Sequence, residues 1–185
     1  IEPGRPDQNG AHERMHRKAR QFYWGALSTD LCKPRASEYR LGCAVLGVSS
    51  GGHQAMLTAM RPRDPRYAGM PMFSNWTVDA SVQAVVLCWP VIDPLGRYRY
   101  AKNLKEHAEN AKQAEEWMSC HEKYFADENE MAEGNPTLAL AFGEKVEMPP
   151  VLYLQGTADI AHPKPSREQF ITSYQKAGGR VEPHW

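Results

Sequence analysis

The stretch Gly47-Val48-Ser49-Ser50-Gly51-Gly52 decides the fold that this sequence predicts. It follows a short apolar run, Cys43 to Val48, and it precedes a helix-like run, His53 to Met60. A serine on a sharp strand-to-helix turn is held out of the sheet with its hydroxyl exposed, and glycines two residues to either side remove the Cβ atoms that would clash. The pattern therefore predicts a strand, a sharp turn that exposes Ser49, and a helix.

This turn is typical of a nucleophilic serine, but two other interpretations fit the same residues. A glycine-rich turn can serve only to let a helix and a strand pack closely. A phosphate-binding loop would also be rich in glycine, but it would place a lysine after the glycines, where this chain has His53. We therefore favour Ser49 as a nucleophile over a packing turn and over a phosphate site.

Length and composition predict one globular domain over residues 1–185. The 185 residues are 42% hydrophobic, which is enough for a core of ordinary size. Acidic and basic residues number 22 each, so no net charge steers the chain toward nucleic acid or an anionic membrane. No apolar stretch approaches the length of a membrane span. We therefore expect neither nucleic acid nor a membrane as a partner.

The four cysteines indicate neither a metal site nor a disulfide scaffold. Cys32, Cys43, Cys88 and Cys120 lack the C-x-x-C spacing of a metal site, and they are too few for a disulfide framework. Two of them lie inside apolar runs, where a thiol behaves as a small hydrophobic group. We interpret them as reduced, buried thiols, which predicts a cytoplasmic location.

Strands and helices alternate along the chain, which predicts a doubly wound, mostly parallel α/β sheet. A stripe of apolar residues at helical spacing predicts an amphipathic helix over His12 to Leu27. The remaining predicted elements are strands at Cys43 to Val48, Val82 to Trp89, Val151 to Leu154 and Arg180 to Trp185, with helices at Ser50 to Met60 and Arg167 to Lys176.

A helical cap insertion is predicted at about residues 95–148. Tyr98 to Phe125 is rich in Ala, Glu, Lys and His and contains no proline. About sixty residues separate the flanking strands, whereas a crossover between parallel strands needs only about a dozen. An ordinary crossover made of long helices is the alternative. Trp117, Tyr124 and Phe125 are candidates for a substrate pocket, although aromatic residues on helices more often belong to a core.

Three stretches of the chain resemble one family. They are Gly47 to His53, the later Val151-Leu152-Tyr153-Leu154-Gln155-Gly156-Thr157-Ala158-Asp159, and Ala177-Gly178-Gly179-Arg180-Val181-Glu182. Together they look like the α/β-hydrolase fold, and they are most similar to its carboxylesterase and dipeptidyl-peptidase-like branches. The resemblance covers roughly Leu41 to Trp185.

The resemblance implies roles for three residues. In the family the elbow serine, here Ser49, is the nucleophile, and the N–H of the next residue, here Ser50, is one donor of the oxyanion hole. A carboxylate after a late strand orients the histidine, and the Gly-Thr-Ala-Asp sequence makes Asp159 that acid. Asp93 is the competing acid, because it also follows a strand, but Asp93-Pro94 is equally typical of a turn or a helix cap. The family's second oxyanion donor lies in an early His-Gly-Gly loop, and no such stretch precedes the elbow.

The family also implies a histidine in a loop beyond the last strand. Trp185 follows Asp159 by only 26 residues, so no histidine of this chain occupies that position. We interpret His184 as a strand residue, His162 as a loop histidine too close to Asp159, and His53 as a core residue. The other four are expected on solvated helical surfaces: His12, His16, His107 and His121. The chain is therefore expected to be a piece of a longer hydrolase, or one that lacks segments.

The resulting hypothesis is a serine hydrolase that cleaves a small-molecule carboxylic ester through an acyl-enzyme intermediate. No metal or organic cofactor is required by this chemistry. A non-catalytic hydrolase-like binding or interaction module is the alternative from another class, and a serine peptidase of the same fold is a third. The sequence does not predict an oligomeric state.

Overall fold

A computed structural model describes residues 43–64, 81–107 and 110–185 of the chain. The helix predicted over His12 to Leu27 lies outside these residues. The described strands are β1 (Ala44–Val48), β2 (Ala84–Cys88), β3 (Val151–Leu154) and β4 (Val181–His184). The described helices are α1 (Ser50–Met60), α2 (Pro94–His107), α3 (Ala111–Tyr124), α4 (Glu128–Glu133), α5 (Pro136–Ala141) and α6 (Lys164–Lys176).

The four described strands form one parallel sheet in the order β1-β2-β3-β4. Val48 pairs with Cys88, Cys88 with Leu154, and Leu154 with His184, so the carboxyl ends of all four strands meet at one edge. In α/β proteins with an open parallel sheet, this edge is where ligands bind. The predicted α/β class and the parallel sheet are confirmed.

Three helices cover one face of the sheet. Met56 and Met60 of α1 and Phe170 and Tyr174 of α6 pack with alternate strand residues in one core, and α5 adds Ala139. The strand residues of this core are Val85, Leu87, Val151, Tyr153 and Val181. The opposite face is more open at β1, where Leu46 is 62% exposed. Burial therefore follows the two-residue period of a strand.

The turn between β1 and α1 depends on its glycines because backbone atoms surround it closely. A Cβ atom on Gly47 would lie 2.6 Å from the Cα of Gly52 and would also contact the carbonyl oxygen of Gly51. A Cβ atom on Gly52 would lie 2.6 Å from the Cβ of Pro90. Real Cβ atoms do not approach other heavy atoms so closely, so a side chain at either position would force the turn apart.

We expect Gly47→Ala to lower the free energy of unfolding by about 3 kcal/mol, since the atoms in its way belong to the backbone and cannot rotate aside. Urea unfolding followed by circular dichroism measures this change. Gly156→Ala is the matched control, because no atom lies within 4 Å of a Cβ at that position. An equal, small effect of both substitutions would contradict the tight turn.

Four helices, α2 to α5, lie between β2 and β3, in the range where the cap insertion is predicted. Helices α2 and α3 pack against each other, and α5 packs against α6. The extent of the domain and the role of these helices as a cap stay predictions. No helix among the described residues is long and apolar enough to cross a membrane.

The interpretation of the cysteines as buried thiols is wrong for two of them. Cys43 and Cys120 are exposed, and Cys88 is half-buried. Cys43 lies just before the outer strand β1, and Cys120 lies on the solvent side of α3, so neither has a neighbouring layer to cover it. Cys32 lies outside the described residues. The cytoplasmic location stays a prediction.

Candidate active site

Ser49 lies at the end of β1 in a backbone conformation that side chains rarely adopt, with φ 50° and ψ −117°. Two hydrogen bonds to the neighbouring segment hold it there: its N–H donates to the Cys88 carbonyl at 3.0 Å, and its own carbonyl accepts from the Val91 N–H at 3.0 Å. Backbone strain of this kind persists where the surroundings fix it, and it is concentrated at functional sites. The strained turn thus fixes the direction of the Ser49 hydroxyl.

The imidazole of His162 lies between Ser49 and Asp159. Its Nε2 atom is 3.2 Å from the Ser49 hydroxyl oxygen, and its Nδ1 atom is 2.8 Å from Oδ2 of Asp159. An ionised carboxylate only accepts hydrogen bonds, so Nδ1 carries the proton in the neutral ring and Nε2 is free to accept from the serine. This relay of serine, imidazole and carboxylate is the arrangement that activates a hydroxyl for nucleophilic attack.

Asp159 organises the loop that carries the histidine. Its Oδ1 atom accepts hydrogen bonds from the N–H groups of Ala161, at 2.9 Å, and His162, at 3.2 Å. The buried Gln155 side chain donates to the His162 carbonyl at 2.8 Å. We call residues Gly156 to Pro163 the acid loop. Because one carboxylate binds both the loop backbone and the imidazole, the acid and the base are held as one unit.

The pKa of His162 lies below its ordinary value of 6.5. Burial is the largest cause, since only 7% of the residue is exposed and the charged ring loses its hydration. The carboxylate of Asp159 opposes this effect, and the positive charge of Arg97 adds to it. The ring is therefore neutral near pH 7, as a general base must be.

Asp93, the competing acid, makes structural contacts instead. Its carboxylate accepts hydrogen bonds from the N–H of Gly96 at 2.8 Å, from Asn135 at 2.6 Å and from the hydroxyl of Ser166 at 3.2 Å. These contacts join the start of α2 to α5 and α6. The helix-cap interpretation of Asp93 agrees with this geometry.

The side chains of His53, His121 and His184 make their hydrogen bonds away from Ser49. His53 is buried and its Nε2 lies 2.6 Å from the Gly134 carbonyl, so its expected core role is confirmed. His184 lies in β4 and contacts Glu182, as expected of a strand residue. His121 contradicts the sequence analysis: it is only 4% exposed, and burial lowers its pKa to about 4. The ring lies between Tyr98 and Phe125, on a helix face covered by α2.

The N–H of Ser50 lies directly after Ser49 at the start of α1. It lies at the first position of α1, where a helix leaves its N–H groups without intrahelical acceptors. Within the described part of the chain, no group accepts a hydrogen bond from it. Oxyanion holes are built from free N–H groups of this kind.

Aromatic residues of the insertion do not line the small cavity beside His162. Phe125 is buried in a second core cluster, Tyr124 packs on it, and Trp117 contacts Arg97. No group of three or more His, Cys, Asp or Glu side chains in residues 43–64, 81–107 and 110–185 could hold a metal ion.

Comparison with solved structures gives the fold. The structure aligns with esterase 2 of Thermogutta terrifontis phosphonylated by sarin, at a TM-score of 0.51 and 24% identity over 76% of this chain and 44% of that one. It aligns with esterase B of Lactobacillus rhamnosis at a TM-score of 0.50 and 17% identity over 76% of this chain and 40% of that one. No protein-family model and no curated protein matches the sequence.

These alignments cover three quarters of this chain but less than half of each neighbour. At such identities the likeness is one of fold. The aligned region contains a parallel sheet with the same class of architecture as the neighbours, in agreement with the resemblance drawn from the sequence.

Proposed function

Because the chain has the α/β-hydrolase fold, we propose that it belongs to a carboxylic ester hydrolase that works through an acyl-enzyme at Ser49. The relay from the Ser49 hydroxyl through His162 to Asp159 carries this proposal. The two neighbours with this fold are named esterases, which favours ester chemistry over the other chemistries of the fold. Fold alone would not support this, since one fold serves many reactions.

The proposed reaction begins with attack of the Ser49 oxygen on the ester carbonyl carbon. Nε2 of His162 takes the hydroxyl proton, and the carbonyl electron pair moves to oxygen, which accepts a hydrogen bond from the Ser50 N–H. The imidazolium is stabilised by the carboxylate of Asp159. When the tetrahedral intermediate collapses, the bond to the alcohol oxygen breaks and His162 donates its proton to that oxygen.

The second half of the proposed reaction uses water as the nucleophile. The water attacks the acyl carbon, and His162 takes its proton. The second tetrahedral intermediate then collapses, its bond to the Ser49 oxygen breaks, and that oxygen regains a proton from His162. The products are a carboxylic acid and an alcohol, and no redox step or cofactor enters the balance.

Covalent labelling tests the proposal. A fluorophosphonate probe should label the folded protein at Ser49, since an activated serine oxygen displaces fluoride from phosphorus, and Ser49→Ala should abolish the label. Esterase 2 of Thermogutta terrifontis has been captured phosphonylated by sarin, which is the same class of reagent. Ser50→Ala is the matched control and should keep the label, because its proposed contribution comes from the backbone.

The outcomes separate the three hypotheses. A folded wild-type protein that binds esters reversibly but is never labelled would favour a binding module. Labelling that survives Ser49→Ala would place the nucleophile elsewhere. A labelled protein that cleaves short peptides faster than p-nitrophenyl esters would be a peptidase.

A further inference from the structure

Arg97 of α2 contacts the acid loop from outside the sheet. Its Nε–H donates to the Ala161 carbonyl at 2.6 Å, which joins the helical insertion to the loop. Ala161 lies between the proposed acid and the proposed base in sequence, so this one bond fixes the backbone from which both side chains project. The described side-chain contacts of Arg97 are with this carbonyl and with Trp117, and none is with α1 or β1.

The environment of Arg97 is unusual for a cation. The residue is only 8% exposed, and its guanidinium lies over the Trp117 ring of α3, 5.2 Å from the ring centre. No carboxylate in the part of the chain that the structure describes forms an ion pair with it. A buried cation without a paired anion is costly, because it loses its hydration. Its burial also lowers its own pKa, against the smaller opposing effects of Cys120 and Asp159.

The same arginine lies beside His162. Both side chains line a small cavity, together with Asp93, Tyr153 and Arg167. Asp159, three residues earlier on the loop, binds the ring directly. The imidazole therefore binds one carboxylate directly, that of Asp159. The other charged groups near it line the same cavity: the guanidinium of Arg97 and the side chains of Asp93 and Arg167.

We propose that Arg97 is a positioning residue that fixes the acid loop to the helical insertion and holds the imidazole of His162 against Ser49. A cation in this place has two effects that a neutral side chain would lack: it binds the loop carbonyl strongly, and it disfavours charge on the resting imidazole. This inference rests on the proposed function, because positioning matters only if His162 is the base.

Arg97→Met tests the proposal by removing the charge and the donor while keeping a long apolar side chain. We expect the pKa of His162, followed by NMR of its ring carbons, to rise, because the repulsion is lost and water gains access to the ring. We expect kcat/KM for p-nitrophenyl acetate near pH 7 to fall roughly 10- to 100-fold, since misplacement of a catalytic group by about 1 Å has such an effect. Arg97→Lys, which restores a charge and a donor, should recover part of both values.

Arg99→Met is the matched control, because Arg99 lies two residues further along α2, on its exposed surface, and pairs with Glu128. It should change neither value. If Arg97→Met does not fold, Arg97→Gln, which is neutral but polar, should show the same rise in pKa. A folded Arg97 variant with an unchanged or lowered pKa of His162 and unchanged kcat/KM would overturn the proposal. The NMR titration needs no turnover, so failure of Ser49 labelling would reject the ester hydrolase separately.

Discussion

Replacing His162 with alanine is expected to lower kcat for ester hydrolysis by roughly 10⁵- to 10⁶-fold, the size of effect seen when a serine hydrolase loses its base. Without the imidazole, the Ser49 hydroxyl has no acceptor for its proton, because Nε2 of His162 is the group within hydrogen-bonding distance of it. Stopped assays with p-nitrophenyl acetate measure the loss. The variant should stay folded, since the acid loop keeps its backbone bonds to Asp159 and Gln155.

His184→Ala is the control for this experiment, because the His184 side chain is exposed at the end of β4 and contacts Glu182 rather than Ser49. It should retain full activity. If His162→Ala kept wild-type turnover while Ser49→Ala lost it, the base would be another group, as the family's usual position beyond the last strand implies.

The pH dependence of the wild-type protein follows from the same residue. Because the pKa of His162 is lowered from 6.5 by burial, the base stays neutral into mildly acidic solution. The acid limb of kcat/KM should therefore fall below pH 6.5, and the rate should be independent of histidine protonation above it. An acid limb above pH 7 in the wild-type protein would contradict this assignment.

Asp159→Asn should lower kcat by roughly 10⁴-fold, because an amide cannot stabilise the imidazolium and favours the wrong tautomer of the ring. The substitution keeps the size of the side chain, so the loss would report charge and hydrogen bonding rather than shape. Enzyme assays measure the loss, and thermal unfolding monitors the fold. The change in unfolding temperature should be small compared with the change in rate.

Asp93→Asn is the matched comparison, since both are carboxylates that follow a strand. Asp93 accepts three hydrogen bonds from donors on three separate segments. After Asp93→Asn, the NH2 group of the new amide would face one of these donors, and that hydrogen bond would be lost. We expect about 1–3 kcal/mol of lost stability and a rate within a few-fold of wild type. The opposite pattern, with Asp93→Asn inactive but stable and Asp159→Asn active, would exchange the roles of the two acids.

Much of this fold could be predicted from the sequence because strong local patterns coincide with the elements. The Val151–Leu154 strand and the Ser50–Met60 helix have the predicted bounds, since apolar runs and glycine turns mark their ends. The helix at the end of the acid loop begins at Lys164 rather than Arg167, because Pro165 is compatible with the first turn of a helix. Within the run from Tyr98 to Phe125, the structure describes parts of two helices, α2 and α3.

The site was harder to predict, and His162 shows why. His162 and His121 are both buried, and no local pattern distinguishes them from surface residues. An Asp-x-x-His spacing was the available signal: three residues allow a loop to turn an imidazole back onto its own carboxylate, as the bond at 2.8 Å between Nδ1 and Oδ2 shows. The contact with Ser49 depends on strand order and register, which local patterns do not encode.

The separation of these contacts along the chain has a consequence for how the site assembles. Asp159 and His162 are three residues apart, whereas Ser49 and His162 are 113 residues apart. Contacts between residues close in sequence form early and at little entropic cost. Contacts between residues far apart in sequence form only when the strands of the sheet pair. The carboxylate and the imidazole can therefore meet in a folding chain before the Ser49 hydroxyl reaches them. Assembly of the relay then depends on the pairing of β2 with β3, because Val85 and Val151 are farther apart in sequence than the β1–β2 partners Ala44 and Ala84. We expect a change that delays this pairing to slow the formation of the relay on refolding without altering the final fold.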